Sequence, residues 1–137
     1  MTEEIKVLAR RYWEDLWNGR NPNVADELIA SDYVDHHFPS DLPLGPSGVK
    51  QWLKGGIDAF PDFHIQIEDL IAEGDKVVTR FTFTGTHQGE FAGVSATGKK
   101  ISLTAINIMR IENGKLAEAW EDADLFGLMQ QFGVITS

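Results

Sequence analysis

The sequence predicts an α+β fold: three helices, then four mostly antiparallel strands, then one closing helix. Three observations carry that prediction. Apolar residues recur at three- and four-residue spacing near the N-terminus, alternate with polar ones from Pro61 onward, and return to helical spacing after Ala123. Helices and strands segregated in this way place helices over one face of a sheet.

The first helix spans residues 2–18, where Ile5, Leu8, Ala9, Tyr12, Trp13, Leu16 and Trp17 share one face. Asn18-Gly19 ends it. Asn21-Pro22 has the form of an N-cap followed by proline at the first helical position, opening a short second helix to about Ala30. Residues 31–46 contain three prolines and form a loop that also carries Tyr33, His36, His37 and Phe38. Pro46 opens the third helix, with Val49, Trp52, Leu53, Ile57 and Phe60 on one face. Gly55-Gly56 weakens its middle by about 1 kcal/mol per glycine relative to alanine.

Phe63, Ile65 and Ile67 begin the strands, and Glu73-Gly74-Asp75 marks a hairpin. Val77, Thr79, Phe81 and Phe83 alternate along the second strand, with His87 in the same phase. A glycine-rich connection from Gly85 to Gly98 leads to Ile101, Leu103, Ala105, Met109 and Ile111, and Asn107 lies on their face. Asn113-Gly114 is the strongest hairpin turn in the chain. Leu116 to Ala123 forms the fourth strand, and a helix from about Leu125 to Phe132 ends with Gly133 as its C-cap.

A chain of 137 residues reads as a single domain, residues 1–137. At that size about two-thirds of the unfolded chain's surface is buried on folding. There are no cysteines, which excludes disulfides and thiolate metal sites. The N-terminus lacks the basic start and apolar run of a signal peptide, and no run of eighteen apolar residues occurs, so the expectation is a cytoplasmic protein. The net charge of −9, with scattered Lys and Arg, argues against nucleic acid and against anionic membrane surfaces as partners.

The informative residues are polar ones in phase with apolar faces, because a buried polar group needs a partner. Asn107 and His87 are two, each readable as a pocket residue or as a structural hydrogen-bonding group. Trp120, Asp122 and Asp124 alternate together. A carboxyl beside an aromatic wall is pushed up in pKa by desolvation and poised for proton transfer. A helix N-cap, the alternative for Asp124, instead stabilises the anion and lowers the pKa. His36-His37 lacks a spaced third ligand, so no metal site is expected. No phosphate-binding glycine motif, nucleophile elbow or cysteine nucleophile is present.

Taken together, several segments resemble the SnoaL-like polyketide cyclase (ester cyclase) family of the nuclear transport factor 2-like superfamily. They are Tyr33-Val34-Asp35-His36, Gly45-Pro46, Phe60-Pro61-Asp62-Phe63 with Glu68-Asp69, and Asp75 to Arg80. Then come Gly85-Thr86-His87-Gln88-Gly89, Thr97-Gly98-Lys99, and Arg110 with Asn113-Gly114-Lys115. Trp120-x-x-x-Asp124 and Gln130-Gln131-Phe132-Gly133 complete the pattern, with Phe132 where the family usually has leucine.

The resemblance implies a cone-shaped barrel, in which a curved, mostly antiparallel sheet wraps helices around an apolar pocket, and a homodimer packed through the sheets. It implies a cofactor-independent reaction on a hydrophobic, carbonyl-bearing ring compound, an intramolecular aldol closure with Asp124 as acid/base. Neither a metal nor an organic cofactor is expected. Asn107, His36 and His87 are the candidates for the group that polarises the carbonyl. Trp13, Trp17, Tyr33, Phe38, Trp52, Phe63, Phe81, Phe83, Trp120 and Asp122 are the candidate substrate-binding residues. Three alternatives stay open: a non-enzymatic small-molecule binding protein, a structural or interaction module with a filled cavity, and another reaction of the superfamily (isomerase, dehydratase or epoxide hydrolase).

Overall fold

The computed structural model of the chain describes residues 2–135. Helix α1 (Thr2–Arg11) runs into a π-helical segment, Tyr12–Asn18, and a short α2 (Val24–Leu28) follows. Strand β1 (Ile29–Asp35) leads to α3 (Gly45–Ala59). Strands β2 (His64–Glu73), β3 (Lys76–Thr86), β4 (Lys100–Glu112) and β5 (Lys115–Ala123) come next, and α4 (Leu125–Phe132) closes the chain. The strands form one five-stranded curved sheet in the order β1-β5-β4-β3-β2. All neighbours are antiparallel except β1 and β5, which run parallel.

The α+β arrangement matches the expected one, with two corrections. Residues 29–35 are a strand where the sequence suggested the end of a helix followed by a loop. The strand exists because β5 offers it an edge: Ile29 pairs with Leu116 and Asp35 with Ala119. The parallel partner lies far along the chain, so local propensity carries no trace of it. The first helix is also not α-helical throughout. The amides of Gly19 and Asn21 each reach back five residues, to Glu14 O at 3.0 Å and Leu16 O at 3.1 Å. This wider turn rotates Tyr12, Trp13, Leu16 and Trp17 together into the interior, where all four are buried.

The turn chemistry follows the sequence closely. Asn113 and Gly114 have φ of 52° and 75°, the left-handed pair of a type I′ hairpin. Gly133 ends α4 at φ 84°. Asn21 works one step earlier than expected: its Oδ1 accepts from the Asn23 amide at 3.1 Å, closing a turn ahead of α2.

One apolar cluster joins the helices to one face of the sheet, including Ala9, Leu16, Leu28, Val49, Val77, Ala105, Met109, Leu116 and Phe132. Truncating a buried leucine of this cluster to alanine would cost roughly 2–5 kcal/mol. Gly56 permits one close approach within it, since a Cβ there would lie 2.9 Å from Cζ3 of Trp17. The helix thus tolerates a weak helix former because the indole occupies the space. Asn18 ties the π-helical turn to β2, donating to Ile65 O and accepting from Ile65 N, both at 2.8 Å. Among the described residues, no helix is long and apolar enough to cross a membrane.

Candidate functional site

A cavity of about 460 Å³ lies between the helices and the inner face of the sheet. Its walls are largely apolar. Trp13 and Trp17 come from the π-helical turn, Trp52 from α3, and Phe81 and Phe83 from β3. These are five of the ten expected substrate-binding residues. Two ionisable side chains, His37 and Glu121, meet at the wall, and Tyr12 and Glu90 line it as well.

His37 and Glu121 belong to a buried polar chain. Tyr33 Oη donates to Asp35 Oδ2 at 2.6 Å. The other oxygen, Asp35 Oδ1, holds His37 through Nδ1 and also accepts from the His37 amide at 3.3 Å. Across the ring, His37 Nε2 lies 3.2 Å from Glu121 Oε2. Asn107 Nδ2 donates to Glu121 Oε1 at 3.1 Å. The Asp35 side chain is 1% exposed, so its charge is balanced by hydrogen bonds rather than by water. The His37 ring is braced by Phe38 at 5.1 Å and by Trp52 at 5.7 Å, both edge-on.

These surroundings move the ionisations. Burial pushes the Glu121 carboxyl up, against the opposing pull of His37 and the Asn107 hydrogen bond. Burial alone would lower His37, but the Asp35 hydrogen bond and the charges of Glu121 and Asp35 outweigh it, and the net shift is upward. Burial, aided by Asp35, raises Tyr12 and Tyr33 well above the usual phenol value, so both stay neutral. The cavity wall therefore holds a basic carboxylate in contact with an imidazole that another carboxylate orients. A pair of this kind has the chemistry to take up and release a proton.

The other expected site residues lie elsewhere. Asp124 is exposed at the N-cap of α4, its Oδ1 accepting from the Gly127 amide at 2.9 Å, and it is not part of the cavity wall. Trp120 and Asp122 point to the opposite face of β5. There the Trp120 ring stacks on His36 at 5.3 Å, and Asp122 is exposed. His36 Nε2 lies 2.6 Å from Glu118 Oε2, and Arg110 Nε donates to Glu118 Oε1 at 3.0 Å. His36 first, and then Arg110, holds the Glu118 carboxyl below its usual range.

His87 is fully buried between Phe132, stacked at 4.1 Å, and Phe60 at 5.5 Å. Its Nδ1 accepts from the Thr97 amide at 3.3 Å, which binds the β3–β4 connection to the sheet. Phe63 is buried under the Arg20 guanidinium, 4.1 Å from the ring centre. Tyr33 and Phe38 border a smaller cavity of about 140 Å³ beside Asp35. Among the described residues, no group of three or more His, Cys, Asp or Glu could hold a metal ion.

Sequence reasoning did not select Glu121, His37 or Asp35. One signal for Glu121 was present: Ala117, Ala119 and Ala123 share its phase, a small-residue stripe that leaves room for the helices. The large Trp120 drew attention to the other face. The Asp35–His37 contact depends on the turn after β1 and has no periodic signature.

A sheet curved over helices around a largely apolar cavity, with a carboxyl–imidazole pair on the wall, defines an α+β protein of the nuclear transport factor 2-like kind. Residues 7–132 match the model of the SnoaL-like polyketide cyclase family, and the chain belongs to that family. The curated relatives it matches include methyl ester cyclases. It is 25% identical over 130 residues to aklanonic acid methyl ester cyclase of Streptomyces peucetius, covering 92% of this chain and 88% of that one. It is 28% identical over 118 residues to nogalonic acid methyl ester cyclase of Streptomyces nogalater, covering 84% and 87%. Among solved structures, TsrD from Streptomyces laurentii superposes with a TM-score of 0.90 at 27% identity, over 98% of each chain.

Proposed function

We propose that the protein is a cofactor-independent cyclase acting on a hydrophobic, carbonyl-bearing ring compound, of the polyketide methyl ester class named for its relatives. The observation that carries this reading is the His37–Glu121 pair at the wall of a largely apolar cavity. Glu121 is the base. It takes the proton α to a carbonyl, the enolate carbon attacks a second carbonyl of the same molecule, and the new alkoxide regains a proton from the same group. Proton and electrons balance, so the reaction requires no oxidant or cofactor. Raising a carboxyl pKa toward the working pH makes it a better base, and a dry pocket strengthens its action on the substrate.

Asp35 orients His37, and His37 carries the positive charge that faces Glu121 in its ionised form. Asn107 holds the other carboxylate oxygen. The acid/base duty thus falls to Glu121 rather than to Asp124, whose carboxylate is occupied in capping α4. The test is turnover of aklanonic acid methyl ester, the compound in the relatives' name, by wild type, Glu121→Gln and Asp124→Asn. Loss of turnover in Glu121→Gln alone supports the assignment. Loss in Asp124→Asn, with Glu121→Gln active, returns the role to Asp124.

The outer face of the sheet supports a second part of the reading, a homodimer. Ile106 and Ile71 on that side are 48% and 60% exposed. Half-buried Ile108, Val78 and Trp120 stand among the ion pairs of Arg110 and Arg80. A second copy of this face would cover them. Sedimentation of wild type against Ile106→Glu tests it: a dimer in the first and a monomer in the second are expected.

A further inference from the structure

Three cross-strand neighbours stand in a row on the inner face. Thr79 of β3 is opposite Asn107 of β4, and Asn107 is opposite Glu121 of β5. Side chains paired in this way have Cβ atoms about 4.5–5.5 Å apart. The Asn107 amide therefore sits between two neighbours with different chemistry. Its NH2 end is committed to Glu121. Its carbonyl oxygen Oδ1 is buried and has no partner among the described residues, and the same holds for Thr79 Oγ1. Thr79 and Asn107 are 0% and 1% exposed, so bulk water satisfies neither.

A buried polar atom left alone costs roughly 1–3 kcal/mol, and two complementary ones in adjacent register are best explained together. The hydroxyl is a donor, and the amide oxygen is an acceptor. We infer that Thr79 is a positioning residue for Glu121: its hydroxyl, directly or through one shared water, serves the Asn107 carbonyl oxygen and keeps the amide's NH2 turned to the carboxylate. Without that anchor the amide is free to rotate, and its oxygen, facing the carboxylate, would repel it. The inference rests on the reading of Glu121 as the acid/base group. It adds the device that keeps that group oriented and ionisable. The other charged or titratable groups that act on Glu121 are His37 and Asp35, Tyr12 from the π-helical turn, Tyr33 from β1 and Asp122 from its own strand. Among the described residues, none of them makes a hydrogen bond or ion pair with the Thr79 side chain, so a Thr79 substitution reaches Glu121 through Asn107.

The experiment is NMR titration of the Glu121 carboxyl and the Asn107 side-chain amide in wild type, Thr79→Val and Thr79→Ser. Turnover of aklanonic acid methyl ester is followed against pH in parallel. In Thr79→Val the Glu121 titration is expected to move to higher pH. The acidic limb of the rate profile should follow it, with a rate loss of roughly 3- to 10-fold on that limb from one lost hydrogen bond. Thr79→Ser should restore both. A folded Thr79→Val with unchanged Glu121 titration and unchanged Asn107 amide signals overturns the inference. If Thr79→Val does not fold, wild type decides. A single, slowly exchanging pair of Asn107 amide protons whose shifts follow Glu121 supports the anchor, and a rapidly averaged amide overturns it. The titration needs no substrate, so it stands or falls apart from the activity. Full turnover in Glu121→Gln would remove the acid/base reading and leave the row itself unaffected.

Discussion

Glu121 and Asp124 are three residues apart and meet opposite environments. Glu121 looks inward from β5, among alanines, with His37 and Asn107 on its two oxygens. Asp124 ends the strand and turns outward, its carboxylate spent on the first turn of α4. The contrast repeats one residue earlier. Trp120 and Glu118 face outward with His36 and Arg110, while Glu121 shares its face with the cavity. Alternation along one strand therefore separates a desolvated carboxyl from solvated ones over a few ångströms. Burial favours the protonated form inside, and the His36 hydrogen bond together with the Arg110 guanidinium favours the Glu118 anion outside. A carboxyl's neighbours in sequence say little about its ionisation, and the face it takes says most.

The largest test of this contrast is activity. Glu121→Gln is expected to lose roughly 10²- to 10⁴-fold in kcat, the usual contribution of a general acid–base group. Asp124→Asn keeps a good N-cap and is expected to stay within a few-fold of wild type. His37→Gln should fall between them, because it removes the partner of Glu121 and leaves the proposed base in place. Steady-state rates on aklanonic acid methyl ester decide the order.

Next comes the pH dependence of stability, which has opposite signs on the two faces. Glu121 and His37 have folded-state pKa values above their ordinary 4.5 and 6.5. Each contributes stability that is fully present below its ordinary value and lost as pH rises through the raised one. Glu118 is held below its ordinary 4.5, so its contribution is present above that value and lost as pH falls through the lowered one. Urea midpoints across this range should show wild type losing ground to Glu121→Gln as pH rises above 4.5. Against Glu118→Gln it should lose ground as pH falls below 4.5. The same direction for both variants would break the comparison.

The smallest effect is the cap. Asp124→Ala should cost about 1 kcal/mol of stability, with activity nearly unchanged. Asp124→Asn should cost a few tenths at most. A thermal melt of the two side by side separates loss of the cap from loss of charge.

Much of the fold was legible in the sequence because local signals agreed with the tertiary outcome. The Asn113-Gly114 turn has only one comfortable backbone geometry, and the alternating runs of β2 to β4 needed one buried face. Thr79, Phe81 and Asn107 were placed on the correct face by phase alone. Strand β1 was not legible: residues 31–35 carry little of their own alternation and become a strand only when β5 lies alongside. The π-helical turn was hidden because its apolar spacing also fits an α-helix. On β5, a register shift between Arg110 and Ile111 leaves both Leu116 and Ala117 buried, so counting by two from the hairpin does not settle which face Glu121 takes.

By itself, the sequence determined the α+β class, the hairpins of β2 to β5, the absence of thiolate chemistry, and an interior rich in aromatics with a few polar intruders. These follow from backbone geometry and from the cost of leaving apolar surface in water, both readable one segment at a time. Only the tertiary structure decided which polar residues meet. Asp35 and His37 come from one end of the chain, Asn107 and Glu121 from the other, and the parallel pairing of β1 with β5 brings them together. Desolvation and charge act through space, so the chemistry of that cluster exists only once distant segments have closed around it.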